Sequence, residues 1–353
     1  MNHLDFRPKT FDQVVGQDEI KEYLKIKIAA YNKNYIAIGH ILFLGFSGTG
    51  KTTLANVVAN EMQVGFHSVM ATRIKNWDDL YSILKNVQAN DVLFIDEIHA
   101  LAPKIQEQLY EVMEDFKCTF HDKNRTTPLV INLPVFTLIG ATTHSGELNA
   151  PLLSRFQYKA QLDPYTVNQL KDMVISACER TYGLDMPEDV AYMIGKLSRR
   201  TARICYNLLK SYIQVVEAEY SGRIYSHMLT KELLSKTLKH EKLDPIVGLD
   251  NASRRYLVAM LRDSVPLGSR SLASMIGEQE STVLHMIEPF LLSDIQLEYN
   301  KEGSTQKMTG PFCQITKKGR RATESAFKYI KLCNVLQQSG WFNNESLNIW
   351  WTK

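Results

Sequence analysis

Residues Gly45–Thr52 read GFSGTGKT and follow directly on the apolar run Ile41-Leu42-Phe43-Leu44. Leu54, Val57, Val58 and Met62 come next at helical spacing. A buried strand is therefore expected to run into a glycine-rich loop and out into an amphipathic helix. Gly45, Gly48 and Gly50 let backbone N–H groups turn inward, and the new helix aims its positive dipole end at the same point. Such a loop binds phosphate. Lys51 would reach the β- and γ-phosphates as a point charge, and the Thr52 hydroxyl would hold Mg2+. A chance glycine turn does not require strand, loop and helix together, so the pattern predicts a nucleoside triphosphate site.

A second apolar run, Val92-Leu93-Phe94-Ile95, ends on Asp96-Glu97. Carboxylates at the carboxyl end of a buried strand face the crevice where open α/β sheets take ligands. Beside a magnesium triphosphate, one carboxylate must help hold the metal and another must orient the attacking water. Asp96 suits the first role and Glu97 the second. Phe136–Ile139 forms the next strand and leads to Thr143, whose hydroxyl would lie between the two phosphate-handling strands. Arg155, just past this last core strand, could reach the γ-phosphate of an adjacent subunit. Arg203, on a later helix, could close over the nucleotide from a second domain, although Arg199, Arg200 and Arg203 also read as a solvated helix face. The fold class is α/β with a parallel sheet.

Charge narrows the partners. Of 41 Lys and Arg, eight fall between Lys301 and Lys331 against two Glu, which leaves the rest of the chain slightly acidic. A local polyanion contact or a solvated cationic face would both explain this. The five cysteines form no CxxC pair, so they are expected to be buried thiols in a reducing compartment. The histidines form no metal-binding spacing. No run of 18 apolar residues and no secretory leader is visible, which suggests a cytoplasmic protein with no membrane contact.

In this order the pieces resemble the RuvB family of AAA+ ATPases, from about residue 4 to residue 330. The resemblance is carried by FRPKTFDQVVGQ (Phe6–Gln17), DEIHAL, MEDF (Met113–Phe116), FTLIGATT, PLLSRF, Tyr165 after LDP, IEPFLL and GRRAT. It implies an ATP-driven DNA motor that migrates four-way junctions as a homohexameric ring on double-stranded DNA. It also implies that Phe6 and Arg7 border the adenosine, with Tyr165 on another side. Gly48, Lys51, Thr52 and Thr53 take the phosphates, and Glu114, Asp115 and Phe116 form a nucleotide-side turn. A hairpin over 117–133 would dock a RuvA-like junction-binding protein, but its polar loop, HDKNRTTP, departs from the family's apolar tip. Phe46-Ser47 replace two prolines, Ala100 and His144 stand at positions where the family tends to carry arginine, and Arg200 and Ala202 replace glycine and proline.

The domains expected are an ATPase domain over 1–165, a helical lid over 166–240, a winged helix over 241–330 and a tryptophan-rich tail over 331–353. Leu243–Asp250 reads as a linker and helix entry. Three short helices lined by Leu257, Met260 and Leu261, by Leu272 and Ile276, and by Val283, Ile287 and Leu291 precede a basic hairpin. That is a winged helix. Lys317, Lys318, Arg320 and Arg321 would meet DNA phosphates without reading sequence, and Lys301–Phe312 would lengthen the wing. Two alternatives stay open: an AAA+ switch of clamp-loader or replication-initiator type, and a DNA-binding scaffold that keeps ATP as a structural ligand.

Overall fold

The computed structural model describes residues 6–34, 37–120, 129–220, 223–262, 265–301 and 304–338. The hairpin loop at 121–128 and the tail beyond 338 lie outside the described residues. The chain divides into two compact units, Arg7–Tyr165 and the chain from Thr166 onward together with Phe6.

The first unit carries strands β1 (Ile41–Leu44), β2 (Phe66–Met70), β3 (Val92–Asp96), β4 (Lys117–Phe120), β5 (Leu129–Asn132), β6 (Thr137–Thr142) and β7 (Tyr158–Gln161). Its helices are α1 (Asp18–Asn34), α2 (Lys51–Met62), α3 (Trp77–Leu84), α4 (Pro103–Asp115) and α5 (Ala150–Arg155). Five strands pair in parallel in the order β2-β3-β6-β1-β7. Both sheet faces are covered, so the central strands are apolar at every position rather than at alternate ones. Ile41, Phe43, Val92, Phe94 and Ile139 pack with Leu54, Val57 and Val58 of α2. Leu42, Leu93, Ile95 and Leu138 point the other way, onto Leu80 of α3 and Leu109 of α4. One expectation is corrected here: β6 is not the last core strand. After α5 the chain returns as β7, which pairs with β1 at the sheet edge. Its sequence YKAQ buries only Ala160 and so shows no apolar run.

The second unit opens with α6 (Val167–Tyr182), α7 (Glu188–Leu197), α8 (Ala202–Glu219) and α9 (Lys231–His240). Thr166 and Gln169 form a capping box that starts α6, and Gly183, at φ +63°, ends it in the left-handed conformation. The winged helix follows, with α10 (Asn251–Arg262), α11 (Ser269–Ile276), α12 (Glu280–Thr282), a π turn over Val283–Ile287 and α13 (Glu288–Leu291). Two hairpins come after, β8 (Ile295–Lys301) with β9 (Ser304–Gly310) and β10 (Cys313–Thr316) with β11 (Gly319–Ala322), then helix α14 (Glu324–Gln338). The chain at 301–312 thus does not extend the basic wing; most of it belongs to a separate hairpin. Helix α14 runs through position 330, where the sequence suggested a boundary, and buries Ala326, Tyr329, Ile330 and Cys333 in the winged-helix core. No helix among the described residues is long and apolar enough to cross a membrane.

Candidate active site and nucleic-acid interface

The carboxyl ends of β1, β6 and β3 lie side by side, because Leu44 pairs with Thr142 and Ile95 with Gly140. Whatever follows these three strands is therefore gathered in one crevice. After β1 comes the glycine loop, with Gly45 at φ +145°, Gly48 at +84° and Gly50 at +98°. A Cβ on Gly45 would stand 2.7 Å from the Leu162 carbonyl, and one on Gly50 would stand 3.1 Å from the Tyr165 hydroxyl. The loop is thus held against the chain that leaves β7. Tyr165 also donates to the Thr49 carbonyl at 2.9 Å, and burial pushes its phenol up to about 12. Lys51 is 6% exposed, and its ammonium donates to the carbonyls of Gly45 at 2.7 Å and Phe46 at 3.0 Å. Thr52 and Thr53 follow in the first turn of α2, half-buried.

β3 ends on Asp96, and Glu97 follows it. Glu97 sits in the left-handed region at φ +50°, a position that costs a non-glycine residue roughly 1–2 kcal/mol. The bend turns its carboxylate toward the end of β6. There Glu97 Oε2 accepts from the Thr143 hydroxyl at 3.3 Å and lies 3.3 Å from His99 Nδ1. His99 Nδ1 is also 2.8 Å from the buried Thr142 hydroxyl, which in turn accepts from the His144 amide. Having donated to Glu97, the Thr143 hydroxyl accepts from His144 Nδ1 at 2.8 Å. The His99 and His144 ring centroids are 5.2 Å apart, so one imidazole meets the Glu97 carboxylate directly and the other reaches it through the Thr143 hydroxyl. His99 and Thr142 were absent from the sequence reading, and His144 figured there only as a replaced arginine. A signal was available in DEIH beside GATTH: on adjacent strand ends, His99 falls within reach of the glutamate and His144 within reach of Thr143.

Arg155 stands elsewhere. It ends α5, which runs back from the carboxyl to the amino ends of the strands, and Glu114, Asp115 and Phe116 end α4 in the same way. Arg155 is ion-paired with Glu114, its guanidinium lies 5.6 Å from the Tyr110 ring centre, and its Nε is buried without an acceptor among the described residues. Phe116, left-handed at φ +51°, packs on His40 and Phe136, which precede β1 and β6. Met113, Glu114, Phe116, Ser154 and Arg155 line one side of a cavity of about 460 Å³. Glu114, Asp115 and Phe116, expected beside the nucleotide, thus keep company with Arg155 at the opposite strand ends from Lys51.

In the other unit Phe6 is buried against the Tyr206 ring, at 6.0 Å between centroids, and its carbonyl accepts from Arg180 at 2.8 Å. Arg203 is exposed in the first turn of α8, while Arg7, in the ATPase unit, is exposed just before its first element. In the wing, Lys317, Lys318 and Arg321 are exposed, as a phosphate-facing set requires. Arg320 differs from them. Its guanidinium donates to both carboxylate oxygens of Glu288, at 2.9 and 3.2 Å, and that carboxylate is buried and also accepts from Tyr256. Arg320 is therefore already engaged within the domain.

A parallel sheet with a phosphate loop, an Asp-Glu pair and a hydroxyl on the intervening strand, followed by a helical module and a winged helix, defines a P-loop ATPase built to work on nucleic acid. Residues 6–162 match the family described as Holliday junction DNA helicase RuvB P-loop domain, and residues 246–305 match the RuvB C-terminal winged helix domain. The chain belongs to the RuvB family. It is 37% identical over 329 residues to the Holliday junction branch migration complex subunit RuvB of Myxococcus xanthus, covering 92% of this chain and 89% of that protein. The same subunit of Campylobacter curvus is 36% identical over 345 residues, covering 97% and 95%. The fold is similar to that of the Thermotoga maritima RuvB Holliday junction branch migration motor, with a TM-score of 0.76 and 32% identity over 92% of this chain and 98% of that one.

Proposed function

We propose that this chain is an ATP-driven motor that migrates four-way DNA junctions as a homohexameric ring on duplex DNA in the cytoplasm. The observation that carries this reading is the meeting of the Lys51 loop, Asp96-Glu97 and Thr143 at three adjacent strand ends, in a family that joins such a site to a winged helix. The residues present suit a magnesium nucleotide. Thr52 and Asp96 offer hard oxygen ligands, but no group of three or more His, Cys, Asp or Glu among the described residues could hold a metal. Mg2+ bound here would take its remaining ligands from water and phosphate oxygens, which is its usual habit. Bound there, it would neutralise charge developing on the transferred phosphate.

Lys51 then leaves the loop carbonyls for the phosphates, and the loop amides and the start of α2 complete the cradle. Glu97 takes the proton of the attacking water, with Thr143 and His99 fixing its carboxylate. Arg155 serves the site of an adjacent subunit, with Glu114, Asp115 and Phe116 beside it, while Phe6, Arg7, Tyr165 and Arg203 border the nucleotide in cis. Lys317, Lys318 and Arg321 hold the phosphate backbone. A RuvA-like junction-binding protein would dock on the β4–β5 hairpin, where Val130 is exposed. Glu97→Gln tests the core of this reading. Loss of a general base costs about 10²–10⁴ in rate, so phosphate release on a synthetic junction should fall by at least a hundredfold while ATP binding persists. Turnover at the parent rate would overturn the assignment.

A further inference from the structure

The segment Leu243–Asp250 is not a loose linker. Asp244 is fully buried, and its carboxylate accepts from the amides of Ile246 and Val247, both at 2.8 Å, from the amide of Leu249, and from the Tyr329 hydroxyl of α14. Gly248, at φ +74°, lies so close beneath the end of α7 that a Cβ there would be 2.1 Å from the Leu197 carbonyl. One residue further on, past Ser198, Arg199 and Arg200 both take left-handed backbone, at φ +49° and +60°. Two consecutive non-glycine residues in this conformation persist only where their surroundings fix them. Here the fixing is visible. The Arg199 side chain is only 9% exposed; its Nε donates to the Gly248 carbonyl at 2.8 Å and its terminal NH2 to Asp250 Oδ2 at 3.1 Å. The other Asp250 oxygen accepts from the Ser253 amide in the first turn of α10. Asp250 thus joins the start of the first winged-helix helix to the turn that precedes α8, whose first turn carries Arg203.

We propose that Arg199 is a positioning residue for motor action: it pins the lid to the winged helix so that the two turn as one rigid arm. A shift of Arg203 on nucleotide hydrolysis then passes through residues 198–201 to α10, and so to the DNA-bound wing. The proposal rests on the motor reading above and adds to it the means of transmission. A guanidinium suits the task because it can reach a carbonyl and a carboxylate at once, which an ammonium point charge cannot do with the same fixed fork.

The test compares the full-length parent with Arg199→Ala, Arg199→Lys and Asp250→Asn. The last keeps the shape of the α10 cap while removing the charge that faces Arg199. ATP turnover without DNA and the KM for ATP should stay within about twofold of the parent. Junction strands separated per ATP consumed should fall at least tenfold in Arg199→Ala and Asp250→Asn, with Arg199→Lys in between. A second readout does not depend on motor activity. Spin labels on cysteines introduced at the exposed Asn207 of α8 and Met275 of α11 should give a narrow distance distribution in the parent and a broad one in either pin variant. Unchanged strand yield per ATP, or equal widths with and without the pin, would overturn the proposal. Failure of the parent to move any junction would count against the motor reading instead, and the distance distributions would still decide the pin.

Discussion

His40 interrupts the apolar run before β1, and in the sequence it reads as a polar break. In the structure it is buried and both ring nitrogens are used. Nδ1 accepts from the Leu138 amide at 2.9 Å, so Nε2 carries the proton and faces the Met113 carbonyl at 3.0 Å. One neutral imidazole thereby ties the start of β1 to β6 and to the end of α4. Protonation would replace the acceptor with a donor aimed at an N–H. Burial accordingly holds the His40 pKa below its usual value, with the bond to Met113 opposing the shift. In the unfolded chain His40 titrates near 6.5. Below that pH the unfolded state binds a proton that the folded state refuses, so stability is full above about 6.5 and declines as pH falls toward the folded pKa. Urea unfolding between pH 7.5 and 5 should show that decline. In His40→Asn the protein should be less stable at pH 7.5 but should lose less on acidification. A slope identical to the parent's would remove His40 from this role.

The wing gives the clearest test at the level of an element. Arg320, Glu288 and Tyr256 tie the β10–β11 hairpin to α13 and to α10, and burial together with the bond to Glu288 pushes the Tyr256 phenol far above its ordinary value. Removing one partner of a buried pair leaves the other uncompensated and costs roughly 3 kcal/mol. Arg320→Ala should therefore lower the midpoint of thermal unfolding. Alanine at Lys317, Lys318 or Arg321 should leave that midpoint unchanged, while each lowers the salt-dependence slope of duplex binding by about 0.9. If Arg320→Ala melts like the parent and only the slope changes, Arg320 is a phosphate contact and not a strut. The sequence announced the hairpin through the run of basic residues at Lys317, Lys318, Arg320 and Arg321. It could not announce the buried Glu288 beneath it, because a glutamate in IEPFLL reads as a solvated helix residue. Strand β7 and the β8–β9 hairpin were missed for a related reason: YKAQ and STQKMTG are polar strands that show little burial pattern. Helix α14 did carry a legible stripe at Ala326, Tyr329, Ile330 and Cys333, but the surrounding lysines drew attention to charge instead.

At the scale of the molecule, the meeting of the Lys51 loop, Asp96-Glu97 and Thr143 at adjacent strand ends was legible in the sequence. A strand, a phosphate loop and an Asp-Glu pair are local patterns, and parallel pairing brings their ends together. What no local pattern contains is which end of the sheet a helix terminus reaches. Arg155 and Glu114 end helices that return to the amino side of the strands, and a strand of four to six residues spans roughly 13–20 Å. A side chain there cannot serve the crevice of its own chain, so a role for Arg155 in hydrolysis requires a second copy. Within a single chain Glu114 holds Arg155, and a neighbour's γ-phosphate would have to compete for the guanidinium. Lys51→Ala and Arg155→Ala should each abolish most turnover, the first by losing phosphate binding and the second with binding intact. Mixed in equal amounts, they should recover activity, because about a quarter of the interfaces in a randomly mixed ring pair an intact Lys51 with an intact Arg155 from the neighbour. Sedimentation must show that both variants still assemble on DNA. Recovery that tracks the fraction of mixed interfaces, as the ratio is varied, is the signature of a site built by two subunits. Full turnover by Arg155→Ala, or no recovery at any ratio from variants that do assemble, would mean that each chain hydrolyses ATP without the arginine of its neighbour.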